Sequence, residues 1–431
     1  MDKKIGLCTF GLLALLVLIM AFATYREHLG GFTVIYNSVW FTLLWITAAT
    51  TGCYYIAINS LHKRLPVFLL HVSFLFILSG ALVTRLTAKT GHIHLHENHQ
   101  TTAFLEEWTR DIVVFPFSVS LKYFEIEYYP DTDLPADYVS IVELADGKTG
   151  ECFERTISMN NILRYRGYRF YQSSFDEDLQ GSILSVNHDT YGIAFSYAGY
   201  YMMFFSMLLI LFDKRERFRC LLRKGNFKIQ RFKNSKIQKF FYSVILIVFA
   251  AASGVLGLQT YAGGRFPLSN IYETLLVLSW LILLTGIVAR RFSFLFVIFS
   301  LFMGSIILII SHVGLMKMQI APLMPVLRSS LLYVHVLVIM VAYCLCGFIT
   351  LNSVAALIMR LSKTGNMDYI KRMKETSELF MYPATFLMGA GIFIGAIWAN
   401  QSWGRYWGWD PKEVWALITF LLMSFTFHEK R

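Results

Sequence analysis

Runs of roughly twenty apolar residues recur along the chain, near 5–24, 39–59, 66–84, 193–212, 241–258, 270–289, 292–312, 329–350, 381–398 and 414–427. As helices, such runs span a hydrocarbon core of about 30 Å. Between the third and fourth runs the pattern changes. Phe117-Ser-Val-Ser-Leu-Lys-Tyr-Phe-Glu-Ile-Glu-Tyr-Tyr129 and Tyr138-Val-Ser-Ile-Val-Glu-Leu144 alternate apolar and polar positions, the period of a half-buried strand. Pro130-Asp131, Asp146-Gly147 and Arg166-Gly167 supply turn signals between and after them. The expected fold class is an all-α polytopic membrane protein of about ten transmembrane helices. One external β-rich domain, at about 85–191, is inserted between helices 3 and 4.

Composition agrees with this pattern, since 56% of the 431 residues are apolar, more than a soluble core of that length buries. Charge placement then orients the spans, because Lys and Arg of short loops stay on the cytoplasmic side. Lys3 and Lys4 precede the first run, no small-x-small cleavage site follows it, and Tyr25-Arg26-Glu27 comes next. It therefore reads as a retained helix with a cytoplasmic N-terminus. The even-numbered spans end in His62-Lys63-Arg64, the 213–240 loop, Arg290-Arg291, the 360–374 loop and His428-Glu429-Lys430-Arg431, all basic. The 213–240 loop alone carries eleven Lys/Arg against Asp213 and Glu216. Its expected partner is an anionic lipid leaflet, and nucleic acid is excluded as a partner. Residues 85–191 instead hold seventeen Asp/Glu and nine Lys/Arg, as suits an external domain. The 213–240 loop also divides the chain near 225 into a front part (1–225) with four spans and a back part (226–431) with six.

The six cysteines are Cys8, Cys53, Cys152, Cys220, Cys344 and Cys346, and only Cys152 falls in the external domain. No CxxC redox pair and no CxxCH haem-attachment sequence occurs. Cys344 and Cys346 point to different faces of one helix and read as packing residues.

A second departure from the apolar pattern lies between the ninth and tenth runs, from Trp398 to Trp415. This external segment holds five of the nine tryptophans, interleaved with Gly404 and Gly408. One or two would fit an interfacial belt. Five among glycines suit a flat apolar ligand, since glycine admits close backbone approach and indoles supply rigid surface. Asp410-Pro411 then reads as an N-cap followed by Pro at the first helical position.

A haem iron takes axial nitrogen ligands, and two histidines hold it without covalent bonds. His71 and His428 sit toward the cytoplasmic ends of the third and tenth spans, and His335 near the outer end of the eighth. For His71 the ordinary alternative is a bond to a neighbouring helix, and for His428 a solvated interface. His312 closes the seventh span and is a reserve ligand without a supporting motif. In Gly91-His-Ile-His-Leu-His-Glu-Asn-His99, His92, His94 and His96 share one face of an extended strand. That spacing is metal-like, but one strand does not close a site.

The stretch Trp403-Gly-Arg-Tyr-Trp-Gly-Trp-Asp-Pro-Lys-Glu-Val-Trp-Ala-Leu-Ile-Thr-Phe420 closely resembles the WWD signature of the haem-handling proteins of cytochrome c maturation. Tyr165-Arg-Gly-Tyr-Arg-Phe-Tyr-Gln-Ser-Ser-Phe175 looks like a ResB-type (CcsB) subunit, so the chain resembles a fused ResB/CcsA-type system II cytochrome c synthase. The resemblance implies a ResB-like part at 1–225 and a CcsA-like part at 226–431 in a bacterial inner membrane. The β domain and the WWD segment would face the periplasm. The implied cofactor is non-covalently bound haem b, and the implied partners are a CxxCH apocytochrome c and thioredoxin-like thiol reductants. The implied activity is holocytochrome c synthesis, a thioether-forming lyase reaction.

By the same resemblance His71 and His428 receive haem within the membrane, while His335 ligates it at the outer face beside Trp403, Trp407, Trp409, Asp410 and Trp415. Arg405 and Lys412 are candidates to neutralise propionates. The family's second external histidine follows the span after His428, so here it is expected beyond Arg431, as in a chain cut at its C-terminal end, or the ligand is supplied otherwise. Two alternatives share part of this pattern. A system I-type WWD chaperone or lyase subunit has no ResB-like domain, and a b-type electron-transfer membrane cytochrome needs paired histidines but not five external tryptophans.

Overall fold

In the computed structural model, residues 2–27, 33–97, 99–107, 109–223, 236–313, 322–362 and 367–428 are described. The boundary expected near 225, much of the basic 213–240 loop and the terminal Glu429-Lys430-Arg431 lie outside them. Twelve helices and eight strands follow in chain order among the described residues. Helices α1 (Asp2–Glu27), α2 (Thr33–Tyr36), α3 (Val39–Ile58) and α4 (Leu65–Thr87) come first. Strands β1 (Lys89–His96), β2 (Gln100–Glu106), β3 (Ile112–Tyr128), β4 (Pro135–Ala145), β5 (Cys152–Ile157), β6 (Leu163–Tyr165), β7 (Tyr168–Phe175) and β8 (Gly181–His188) follow. Then come α5 (Tyr191–Phe212), α6 (Arg217–Arg223), α7 (Lys236–Gly263), α8 (Ile271–Ala289), α9 (Leu295–Val313), α10 (Ser330–Leu361), α11 (Met367–Ser402) and α12 (Pro411–Thr426). Nine described helices are long and apolar enough to cross a membrane. The tenth expected span is α12, at 16 residues. The protein is therefore a multi-pass membrane protein with a β domain inserted between its third and fourth spans.

Two compact units divide the chain. One comprises Met1–Met207, Met324–Leu332 and Ile392–Arg431, the other Leu208–Leu323 and Tyr333–Gly391. Neither unit is continuous in sequence, since α12 and the segment before it group with the front of the chain.

In the first unit the strands form one antiparallel sheet in the order β5-β4-β3-β2-β1-β8-β7-β6. The expected turns lie where the alternation breaks. Asp131 (φ 59°) bends between β3 and β4, and Arg166-Gly167 (φ 47° and 83°) joins β6 to β7, the paired positive dihedrals that match hairpin twist. Ile93, Leu95, Phe104, Val119, Val142, Leu144, Phe170 and Leu184 fill one core. The sheet curls so that Ser140 of β4 donates to Gln172 Oε1 of β7 at 2.6 Å and bonds Ser182 of β8 at 2.7 Å. These buried hydroxyls are thereby satisfied.

The helix that carries His71 is clamped to the helix after the sheet by absent side chains. A Cβ on Gly80 of α4 would lie 2.3 Å from Ser196 Oγ, one on Gly192 of α5 2.0 Å from Thr84 Oγ1, and one on Gly199 2.7 Å from Ile77. Small residues at such positions let helix backbones approach, the usual basis of packing between membrane helices. A second cluster joins α1, α3 and α12 through Leu16, Met20, Phe41, Val414 and Ile418.

In the second unit α7, α8 and α9 pack through Ile245, Ala252, Leu283 and Val297. Asn352 of α10 donates at 2.8 Å to Met373 O and to Ser377 Oγ of α11.

Candidate functional site

His71 and His428 come together in the first unit. Their ring centroids are 5.8 Å apart with an interplanar angle of 81°. Nδ1 of His71 donates to Val67 O at 2.8 Å, and Nδ1 of His428 donates to Ser424 O at 3.0 Å. A carbonyl only accepts, so each bond assigns the ring proton to Nδ1 and leaves Nε2 with its lone pair. Two imidazoles, each with a lone pair left on Nε2, are the donor pair that a haem iron accepts. Phe10 of α1 packs edge to face on His428 at 5.2 Å, and Phe74 of α4 lies 6.1 Å from Phe420 of α12. Phe10 thus covers one side of the His428 ring. The donor set and its tautomers fit a haem iron.

The Trp-rich segment is shorter than its expected span of 398–415. α11 runs on to Ser402, and Trp403 N–H still donates to Ala399 O at 2.8 Å. No Pro or Gly lies between Trp398 and Trp403, and the backbone turns only at Gly404, where φ becomes 77°. The irregular stretch is 403–410. At its end Asp410 Oδ1 accepts from Lys412 N at 2.7 Å and Glu413 N at 3.3 Å, while Glu413 Oε2 accepts from Gly408 N at 2.8 Å. With Pro411 following, this is a capping box that starts α12.

The tryptophans divide into two groups. Trp409, held at φ 59°, stacks on Tyr36 of α2 with centroids 4.7 Å apart and planes 9° apart, and meets Phe41 of α3 edge to face at 5.4 Å. Trp407 stands perpendicular to Trp409 at 5.7 Å. Its buried indole N–H has no acceptor among the described residues, an orphaned donor of the kind that a polar group on a ligand satisfies. Trp403 packs on Trp398 at 4.7 Å but stays 45% exposed, and Trp415 is 50% exposed. Trp403 and Trp415 keep indole surface free, whereas the Trp409 ring is stacked on Tyr36 and partly buried.

The glycines serve packing here. A Cβ on Gly404 would fall 2.5 Å from the Tyr171 ring, and one on Gly408 2.8 Å from the Arg405 guanidinium. Gly404 O also accepts from Asn187 Nδ2 at 2.5 Å, so the β domain holds the segment directly. Tyr406 O–H donates to Thr84 Oγ1 at 2.9 Å, and Thr84 Oγ1 donates to Asp189 Oδ2 at 2.7 Å. Burial pushes the Tyr406 phenol above its ordinary pKa, against the pull of its hydroxyl partners Ser196 and Thr84. Asn400, just before the segment, donates to Tyr197 Oη at 2.7 Å and accepts from Arg169 Nη1 at 3.1 Å.

His335 lies on α10 in the second unit, where its Nδ1 donates to Gly391 O of α11 at 2.8 Å, again leaving Nε2 as the lone-pair nitrogen. A Cβ at 391 would sit 2.4 Å from Ile339, so the glycine allows the carbonyl to be reached. His312 repeats the arrangement at the end of α9, with Nδ1 donating to Leu308 O at 2.8 Å.

Two family models match. One described as "Cytochrome C assembly protein" covers residues 268–430, and one described as "ResB-like family" covers 49–196. Protein NrfI of Wolinella succinogenes is 34% identical over 197 residues, which are 45% of this chain and 22% of that protein. Cytochrome c biogenesis protein CcsA of Synechococcus sp. (strain CC9311) is 32% identical over 218 residues, 42% of this chain and 72% of the relative. CcsA of Guillardia theta is 31% identical over 203 residues, 41% and 67%. The chain belongs to the fused ResB/CcsA family of cytochrome c biogenesis proteins. It spans about a fifth of NrfI, 22% of its length.

As a ResB/CcsA protein the chain builds its central features from both matched regions, His71 from the first and His428 from the second. Sequence reasoning missed the residues that fix the WWD segment: Tyr36, Thr84, Arg169, Asn187, Asp189 and Asn400. Asn187, Asp189 and Asn400 are 9%, 2% and 3% exposed. A polar side chain at the edge of an apolar run was the available signal, and nothing in the linear order pairs it with its partner.

Proposed function

We propose that this ResB/CcsA protein binds haem between His71 and His428, carries it across a bacterial inner membrane, and attaches it to the CxxCH thiols of an apocytochrome c on the periplasmic face. The observation that carries this reading is the meeting of two membrane histidines from the two matched regions, each with its proton fixed on Nδ1. In the attachment step a thiol S–H adds across a haem vinyl group, forming one C–S and one C–H bond, so no oxidant or reductant is consumed.

The chain's own residues contribute position. Trp403 and Trp415 offer exposed indole faces to a planar substrate, Trp407 offers an unpartnered N–H, and Asp410 fixes the path of the backbone beneath them. His335, with its lone pair on Nε2, would ligate haem iron on the outer side, and the exposed Arg405 and Lys412 would be partners for propionates. Holding reactants in near-attack geometry contributes roughly 7–11 kcal/mol in favourable cases, and positioning is the role assigned to these side chains. Thioredoxin-like reductants would keep the client thiols reduced, the basic loop would rest on anionic lipid, and the N-terminus would be cytoplasmic.

The test is co-expression with a CxxCH reporter in cells lacking other cytochrome c maturation proteins. Covalently haem-stained reporter together with a Soret band in the purified chain is the expected outcome. Absence of the Soret band would overturn haem binding. A Soret band with an unmodified reporter would overturn the attachment step alone.

A further inference from the structure

The histidine-rich strand that opens the β domain is left unused by the haem reading. On β1 the three histidines have different fates. His92 Nδ1 is bonded to Ser185 Oγ at 3.1 Å. His94 and His96, both half exposed, turn toward one carboxylate from the turn between β7 and β8. Nε2 of His94 lies 2.8 Å, and Nδ1 of His96 3.6 Å, from Asp176 Oδ2. The three donor atoms all fall within 4.8 Å of one another. The rings of His94 and His96 stand 4.2 Å apart, as the period of two along a strand dictates.

The carboxylate is seated by the fold. Asp176 follows β7 in the turn to β8, where its N–H donates to Gly181 O at 3.0 Å and its carbonyl accepts from Leu179 N at 3.0 Å. Gly181 pairs in register with His96 across β1 and β8. A Cβ on Gly181 would fall 1.7 Å from Asp176 Oδ2 and 3.1 Å from His96 Nδ1. Only a residue without a side chain there lets the carboxylate lie over the strand beside the imidazole. Register, turn and glycine each bring the third ligand to the two that the strand alone supplies.

We propose that His94, His96 and Asp176 bind a divalent transition-metal ion of the zinc class. Ligand atoms about 2.0–2.2 Å from a tetrahedral zinc ion stand about 3.4 Å apart, a spacing bracketed by the distances present. The ion replaces the His94–Asp176 hydrogen bond and needs only side-chain rotation. Two imidazoles and one carboxylate suit zinc, copper(II) or nickel(II), whereas calcium and magnesium require more oxygen ligands. The His99 ring, 6.5 Å from His96, is too distant to close the shell as it stands, so the fourth position belongs to water.

The experiment uses the full chain in detergent, stripped with chelator and titrated with zinc chloride by calorimetry. The membrane histidines also carry free Nε2 atoms, so the readout is the difference between variants. Wild type and His92→Gln share one equivalent that is weakened about a hundredfold in Asp176→Asn and in the His94→Gln/His96→Gln pair. Identical isotherms for wild type and the paired variant overturn the site. A second measurement needs no variant. Saturating zinc shields His94 and His96, but not His62, from diethyl pyrocarbonate as read by peptide mass spectrometry, and equal modification with and without zinc overturns the proposal.

Discussion

His71 of α4 and His428, just past the end of α12, meet edge to face, and each ring is tethered by Nδ1 to the carbonyl four residues before it. If both rings hold one haem, replacing either with Ala removes one of its two nitrogen ligands. Haem co-purifying with the chain should fall about tenfold, equivalent to about 1.4 kcal/mol, as measured by pyridine haemochrome absorbance. His71→Gly should regain haem in added imidazole. Haem retention unchanged in both alanine variants would refute the pair as ligands.

The clamp between α4 and α5 is sensitive to a single methyl group. Gly199→Val places a Cβ 2.7 Å from Ile77 and 2.9 Å from Ser73 O, and the backbone contact cannot yield as a flexible side chain would. The expected cost is about 1–3 kcal/mol, seen as a lower melting temperature in detergent. Gly254→Val, at a position with nothing within 4 Å, serves as the tolerant comparison.

Asp410 separates two roles cleanly. Asp410→Ala deletes the cap of α12 and should cost about 1 kcal/mol, with faster hydrogen exchange over 403–413. Asp410→Asn keeps an accepting oxygen and should restore most of the protection. If the Asn variant matures the reporter as poorly as the Ala variant, the carboxylate charge acts on substrate and the capping account is insufficient.

The β domain carries an acid-sensitive joint. Burial raises the Asp146 pKa, but the Tyr165 hydroxyl at 2.7 Å, the Lys148 amide at 2.9 Å and the Arg166 guanidinium at 2.5 Å hold it below the ordinary carboxylate value. A depressed folded pKa adds stability that is fully present above the unfolded value of about 4 and fades as pH falls through the folded one. Wild type should therefore lose stability below about pH 4 more steeply than Asp146→Asn, followed by tryptophan and tyrosine fluorescence. Parallel curves would show that Asp146 does not carry this dependence.

Much of the fold could be read from periodicity, because a membrane span and a half-buried strand each impose a local pattern on successive residues. The ten apolar runs each became a helix, and the turns at Pro130-Asp131, Asp146-Gly147 and Arg166-Gly167 fell where expected. What sequence could not show were pairings set by tertiary approach. Trp409 was legible as an indole surface, but the stacking of its ring on Tyr36 was not. The histidine strand looked open-sided until Gly181 made room for Asp176. Tyr406, Thr84 and Asp189 are connected only after α4 and the end of the sheet are brought together.

Trp409 rests on Tyr36, and His428 on His71 and Phe10, yet Phe10 and Tyr36 precede both matched regions while the other three are split between them. Were the ResB-like and CcsA-like parts separate polypeptides, each of these contacts would wait on a bimolecular encounter in the bilayer. One covalent chain gives the partners an effective concentration that for short flexible tethers reaches the millimolar range. Assembly of the histidine pair then no longer depends on how much of each part the cell makes.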